Sequence, residues 1–182
     1  MVVYVGSLSL PSHPVDLLVK AFASVHAALP ETALVLVGGG EDFDTLQRLV
    51  CSLGLETAVH LCGRVPPDQA PLYYQMADVS VDPVHDDDAA RGRSPLKLFE
   101  SWASQVPFVT ADVGDRGVLL GSPPAGILSR PGDPDSLAES ILQILQNPAL
   151  ASELRQRGLE RAALYTWERL AEQFKCAYRQ WK

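Results

Sequence analysis

Short runs of apolar residues alternate with longer amphipathic stretches along nearly the whole chain, and this alternation sets the expected architecture. Val2-Val3-Tyr4-Val5 is apolar at every position and stops at Gly6, the pattern of a strand buried on both faces of a parallel sheet. From Val15 to Leu29 the residues Leu17, Leu18, Ala21, Phe22, Val25 and Leu29 recur at helical spacing, and Pro30 punctuates the stretch. Ala33-Leu34-Val35-Leu36-Val37 predicts a second strand, closed by Gly38-Gly39-Gly40. Glu41 to Leu53 reads as a helix with an acidic first turn, stopped by Gly54. Ala58 to Leu61 and Val79 to Val81 predict two more strands, with a short helix from Pro67 to Met76 between them. A polar loop, Asp82 to Arg93, follows. Beyond a helix starting near Ser94, Pro107 to Thr110 and Gly126 to Leu128 predict two further strands, separated by a Gly-rich loop. Helices are expected over Asp135 to Leu145, about Pro148 to Tyr165, and Trp167 to Trp181. The fold class is therefore α/β: a Rossmann-like doubly wound parallel sheet of about six strands with a helical C-terminal tail, all in a single domain over residues 1–182. Ligands on such sheets sit beyond the carboxyl ends of the strands, so the loops Gly6–Pro14, Gly38–Glu41, Cys62–Pro66, Asp82–Ser94 and Ala111–Gly117 are where binding chemistry is expected.

One of these loops carries more than the others. In Arg93-Ser94-Pro95-Leu96-Lys97-Leu98-Phe99-Glu100, Ser94 suits an N-cap and Pro95 the first helical position, where a missing N–H costs nothing. The amides of Leu96 and Lys97 would then point out of a helix N-terminus, where the dipole favours an anion. Lys97 adds a mobile positive charge, and it opposes the helix dipole unless an anion is bound there. Glu100 lies five residues beyond Pro95, roughly 7.5 Å along a helix axis. A phosphate at one end and hydroxyls further along, as in a nucleotide sugar, match that spacing.

Composition narrows the class without naming a chemistry. The chain has 182 residues, 47% hydrophobic and 20% charged, which fits one globular domain with a real core. No apolar run approaches the roughly 18 residues of a membrane span, and Met1-Val2-Val3-Tyr4-Val5-Gly6 has no basic region or cleavage site of a signal peptide. A strand pattern that begins at once hints at a chain cut from something longer. Cys51, Cys62 and Cys176 have no metal-ligand spacing and read as free thiols of a reducing cytoplasm. A net charge of −7 argues against nucleic acid as a partner. Residues 153–182 are locally basic, with seven Arg/Lys against four Glu, and read either as a solvated face or as one turned to an acidic membrane surface or another domain.

An ordered set of motifs resembles a known family. Tyr4-Val5-Gly6-Ser7-Leu8 with Val15 to Phe22 resembles the opening strand and helix of the C-terminal, donor-binding domain of family 4, GT-B-type glycosyltransferases (glycosyl transferases group 1). Leu34 to Gly40 is similar to its Gly-ended second strand, Val59 to Val65 to its base-recognition segment, Ser94 to Val109 to its donor-site helix, and Tyr165-Thr166-Trp167-Glu168 to the start of its tail helix. The resemblance implies a transferase that moves a sugar from a nucleoside-diphosphate sugar to a saccharide, lipid or small-molecule acceptor, with retention and without a metal or other cofactor. It implies Glu100 at the donor ribose and Gly6, Ser7, Arg93, Ser94, Leu96 and Lys97 at the diphosphate. It places Arg64 and Val65 at the base. No residue is implied as catalytic with certainty. An N-terminal acceptor domain, absent from this chain, would be the missing partner, so the fragment alone is expected to be inactive. The expected location is the cytoplasm, with peripheral contact to the inner membrane face through the full-length protein. Two alternatives stay open: a GT-B-type nucleotide-sugar epimerase, and a non-catalytic nucleotide-binding domain.

Departures from the family's pattern sharpen the question. The first of two glutamates, eight residues before Glu100, is Gly92; the usual Arg after the first-strand glycine is Ser7; the usual Lys-Gly before the first helix is His13-Pro14. Either Arg91, Arg93 and Lys97 supply the missing charge from the other side of the cleft, or the domain is a weak or inactive relative. His85-Asp86-Asp87-Asp88 is expected to be a solvated, mobile loop rather than a metal site, since three consecutive acids do not converge on one point. His13, His26 and His60 have no evident partner, and Leu98, Phe99 and Trp102 are assigned to the core. The tail's apolar face, Leu170, Phe174, Ala177, Tyr178 and Trp181, is expected to be partly exposed.

Overall fold

In the computed structural model, which describes residues 1–180, six strands form one parallel sheet: β1 (Val2–Val5), β2 (Leu34–Val37), β3 (Val59–Gly63), β4 (Val79–Val81), β5 (Phe108–Ala111) and β6 (Ile127–Ser129). Their order is β3-β2-β1-β4-β5-β6, with every pairing parallel. This is the doubly wound arrangement expected from the alternation of apolar runs and amphipathic stretches. Both parities along the strands are apolar because both faces are covered. Val2, Tyr4, Leu34, Leu36, Val79 and Val81 face α1 (Val15–Ala28) and the helices α7 (Pro134–Leu145) and α8 (Pro148–Ala162) near it. Val3, Val35 and Val37 turn the other way, against Tyr74 of α3 (Ala70–Gln75). On that second side α5 (Leu96–Ala103) buries Leu98 and Trp102 against Phe108, as expected, while Phe99 is only half-buried at the edge of that cluster. Gly158 of α8 lies against the Trp102 ring so closely that an added Cβ would sit 2.5 Å from Cδ1. The Trp102 indole N–H donates to the Ala125 carbonyl at 2.9 Å, which satisfies the one polar atom in that packing.

Several boundaries differ from the sequence expectation for identifiable reasons. α2 (Phe43–Ser52) starts after Glu41 and Asp42 because those acids hold the neighbouring loop instead: Ser9 donates to Glu41 at 2.5 Å, and the Leu10 amide to Asp42 at 2.7 Å. Two short helices, α4 (Asp88–Arg91) and α6 (Arg116–Leu120), occupy segments read as loop. Each is too short to show a hydrophobic period. α4 is capped by the Asp87 carboxylate, which accepts from the Ala90 amide at 2.7 Å. The acidic run expected to be a solvated loop is thus partly built into structure, with Asp86 and Asp88 paired to Arg91. Ser94 does not cap α5. That helix begins at Leu96 with Pro95 extended at ψ 109°, and the Ser94 hydroxyl donates to Asp115 at 2.7 Å.

The tail helix α9 (Trp167–Gln180) has no buried residue. Phe174 and Tyr178 are exposed and Leu170 is half-buried; Trp181, expected on the same face, lies outside the described residues.

The glycine run after β2 has a structural explanation. Pairing of Val5 with Val37 sets the β1 and β2 loops side by side, with the Gly6 amide donating to the Val37 carbonyl at 2.9 Å. Gly38 adopts φ +142°, and a Cβ there would lie 1.7 Å from the Gly6 oxygen. Gly38→Ala is therefore expected to cost more than about 3 kcal/mol in urea unfolding, through strain and steric conflict together.

Candidate functional site

A cavity of about 400 Å³ opens at the carboxyl ends of β1 and β4, where the strand order reverses direction. Val5, Gly6 and Ser7 leave β1 along one wall, His13 closes the loop before α1, and Asp82 is the first residue beyond β4. Arg93, Ser94, Pro95, Leu96, Lys97 and Glu100 form the opposite wall. The N-terminus of α5 faces this space. Pro95 has no N–H, no side chain caps the helix among the described residues, and the Leu98 amide already bonds the Pro95 carbonyl at 3.2 Å. The Leu96 and Lys97 amides are left to meet whatever enters. A larger cavity, about 550 Å³, lies at the other end of the sheet between Met1, the α1–β2 turn and α8. Its one cationic side chain, Arg155, shares it with Glu31 and Asp78, a poor setting for an anion.

Beneath the first cavity sits a buried ionic cluster. The Asp82 carboxylate is 2% exposed and accepts from Lys97 Nζ at 2.9 Å, Arg116 Nη2 at 3.2 Å and Thr110 Oγ1 at 3.4 Å. Burial alone would raise its pKa, but Lys97 and then Arg116 outweigh burial and hold it below the usual carboxylate range. Arg116, 1% exposed, also donates to the carbonyls of Ala90, Arg93 and Val113, tying the loop before α5 to the sheet. Lys97 Nζ lies 4.6 Å from the centre of the Tyr4 ring, a cation–π contact. The Tyr4 hydroxyl donates to the Ser7 carbonyl at 2.7 Å, and burial, then Asp82, push its pKa up. Asp82 cancels one of its two cations, so the cluster keeps one net positive charge, and Arg93 adds a second at the cavity wall.

Glu100 lies one turn deeper along α5, exposed toward the cavity, and accepts from the Tyr74 hydroxyl at 3.1 Å. Tyr74 belongs to the apolar cluster against which Val65 packs. Arg64 is exposed, and its stem covers Gly39, where an added Cβ would be 2.7 Å from Cγ. Arg64 and Val65 thus lie outside the cavity lining but follow it along the loops after β3 and β2.

The comparisons with known proteins bear on this geometry. Residues 1–147 match the family described as Glycosyl transferases group 1. The chain belongs to that family. It is 28% identical over 161 residues to a GDP-mannose-dependent α-(1-6)-phosphatidylinositol monomannoside mannosyltransferase of Mycolicibacterium smegmatis, covering 87% of this chain and 42% of that protein. A sucrose-phosphate synthase of Thermosynechococcus elongatus superimposes with TM-score 0.82 at 29% identity, over 98% of this chain and 44% of the other. The Anabaena protein HepE, solved in complex with UDP, shares the fold with TM-score 0.78 at 20% identity, over 96% of this chain and 48% of its own. The chain therefore spans less than half the length of each of these three proteins.

Within this glycosyl transferase domain, the residues expected at a diphosphate, Gly6, Ser7, Arg93, Ser94, Leu96 and Lys97, line one cavity together with Glu100. Lys97 departs from expectation in being clamped rather than mobile, because a buried carboxylate and an aromatic face fix its ammonium. Arg91, named as a source of charge, points elsewhere: it is paired with Asp86 at 2.8 Å and does not line the cavity. Sequence reasoning missed Asp82, Arg116, Tyr4 and Tyr74. Asp82 alone carried a signal, since an acid directly after a short buried strand is itself buried unless the chain turns away, and a buried acid needs a cation. Asp82→Ala leaves two buried cations without their acceptor and is expected to lower stability by about 3–5 kcal/mol in urea unfolding. Asp82→Asn, which keeps the shape and one acceptor oxygen, is expected to cost less.

Proposed function

We propose that this chain is the donor-binding half of an enzyme that transfers a hexose or related sugar from a nucleoside-diphosphate sugar to a saccharide, lipid or small-molecule acceptor. The observation that carries the reading is the cavity itself. An uncapped helix N-terminus, Arg93 and Lys97 converge where a diphosphate fits, and Glu100 stands one turn further on, where ribose hydroxyls would reach it. Arg64 and Val65 extend the same line toward a base. The names of the relatives support a nucleotide sugar as the ligand class: one is GDP-mannose-dependent and another was solved with UDP.

In the proposed reaction the bond from the anomeric carbon to the diphosphate oxygen breaks as the acceptor oxygen bonds that carbon. The acceptor's proton passes to the departing phosphate, so that the donor's own leaving group serves as base and the configuration is retained. The helix amides, Arg93 and the Lys97 donors not used by Asp82 would stabilise the charge that develops on the diphosphate. These groups do the work usually given to a divalent cation, so transfer is expected to be insensitive to EDTA. The acceptor would be held by a separate N-terminal domain. Among the described residues no helix is long and apolar enough to cross a membrane. The three exposed free cysteines favour a reducing, cytoplasmic setting, and the exposed apolar face of α9 leaves room for peripheral membrane contact by the longer protein.

Ser7, His13 and Gly92 stand where charged partners would be expected, which favours a binding-only domain as the second reading. Calorimetry with GDP-mannose, UDP-glucose and inorganic pyrophosphate tests the site. Glu100→Ala should weaken nucleotide-sugar binding about tenfold or more and leave pyrophosphate unaffected, since only the ribose contact is lost. Arg93→Ala should weaken all three ligands about tenfold. Incubation of a longer protein carrying an acceptor domain with the same donors then separates transfer, which requires an acceptor, from epimerisation, which does not, and from binding without turnover.

A further inference from the structure

Tyr74 carries a hydroxyl that its apolar surroundings do not call for. The side chain, on α3, is 1% exposed and packs in one cluster with Val3, Val35, Val37, Ala77 and Val106. Phenylalanine would fill the same space with no polar atom to desolvate. The hydroxyl has one partner among the described residues: it donates to Glu100 Oε2 of α5 at 3.1 Å. That bond is also the only one the Glu100 side chain makes among the described residues. Lys97, three residues earlier on α5, is committed to Asp82. An exposed glutamate ordinarily samples several rotamers. Here a side chain rooted in the core holds one oxygen of an acid that lines the cavity.

We propose that Tyr74 is a positioning residue: its hydroxyl holds the Glu100 carboxylate in the rotamer that meets the donor's ribose hydroxyls, and so sets the preference for nucleotides that carry them. The inference rests on the reading of Glu100 given above and adds to it a residue outside the cavity lining. A carboxylate offers about four acceptor sites on its two oxygens, and Tyr74 takes one, so acceptors remain for a ligand. Fixing the acid in advance removes rotamer freedom that binding would otherwise have to freeze. The anchor itself is firm. Val65, half-buried on the loop after β3, packs against the same cluster, so the acid's position is set relative to that loop as well. Burial first, then the Glu100 charge and the bond to it, raise the Tyr74 pKa above the ordinary phenol range, so the hydroxyl stays a donor around neutral pH.

A bond that served the fold alone would behave differently. Its loss would loosen α3 against α5 and affect every ligand of the cavity alike, or none. A positioning bond matters only to ligands whose ribose hydroxyls Glu100 accepts, and only while Glu100 is present. The contrast between ribose and deoxyribose ligands therefore separates the two roles.

The experiment is calorimetric titration of the chain with GDP, UDP and their 2′,3′-dideoxy forms. The wild-type chain should prefer the ribose forms, and Glu100→Ala should remove that preference. Tyr74→Phe should weaken the ribose forms about fivefold and leave the dideoxy forms unchanged. Adding Tyr74→Phe to Glu100→Ala should change nothing further, as a double-mutant cycle requires of two residues acting as one unit. Val106→Ala, which loosens the same cluster without touching the hydroxyl, should keep the preference. Full preference in Tyr74→Phe, equal weakening of ribose and dideoxy forms there, or loss of preference in Val106→Ala overturns the proposal and leaves the reading of Glu100 standing. A preference that survives in Glu100→Ala overturns that reading and the proposal with it, as does absence of binding by both GDP and UDP. Should Tyr74→Phe misfold, the wild-type chain labelled with 13Cζ-tyrosine answers the question. The Tyr74 signal must move when GDP or UDP is added and stay in place with the dideoxy forms, because only ribose hydroxyls draw on the carboxylate it bonds; an unmoved signal, or one that moves with both, overturns the proposal.

Discussion

The Asp82 carboxylate, buried between Lys97 and Arg116, is the constraint on which the site depends. Burying one acid with two bases is costly in desolvation, and the cost is met only because each partner also has other work. Lys97 rests on the Tyr4 ring, and Arg116 donates to the loop carbonyls of Ala90, Arg93 and Val113. One side chain at the end of β4 thereby fixes β5 through Thr110, α5 through Lys97, and the loop before α5 through Arg116. The N-terminus of α5 is aimed at the switch point of the sheet as a consequence.

Charge at this site is arranged in two layers. The lower layer is structural: Lys97, Asp82 and Arg116 compensate one another, with a surplus of one positive charge. The upper layer is free to meet a ligand: Arg93 and the first amides of α5. A lysine held by a buried acid cannot swing out as a flexible clamp, which shifts more of the burden of an incoming diphosphate onto backbone amides and Arg93. Preorganised amides stabilise developing charge without reorganising during reaction. In this chain that offsets the serine and histidine found where fixed cations would be expected.

The fold was readable from the chain because its signals are local. Val2–Val5 and Leu34–Val37 are apolar at every position, which only a strand covered on both faces requires, and their sheet order follows from the doubly wound pattern. The presence of Glu100 on the cavity wall followed from the family resemblance, with Glu100 one turn along the helix that opens at Leu96. The errors have equally local causes. Ser94 has the side chain of a cap, but Asp115, distant in sequence, takes its hydroxyl. Arg91 has the right charge, but the acids of its own loop hold it. The helices at Asp88 and Arg116 are shorter than one hydrophobic repeat and leave no pattern to read.

The sequence by itself determined the alternation of strands and helices, the end of the sheet where a ligand belongs, and the residue types gathered there. Tertiary structure alone decided which charges are spent and which are available. A charge's partner is set by burial and by distances of a few ångströms between residues far apart in the chain, as with Asp82 and Arg116. It decided too that Arg116, far along the chain from the strand it supports, reaches back to the carboxylate at the end of β4. Periodicity reports which face of an element is buried; it carries no record of what waits on the other side.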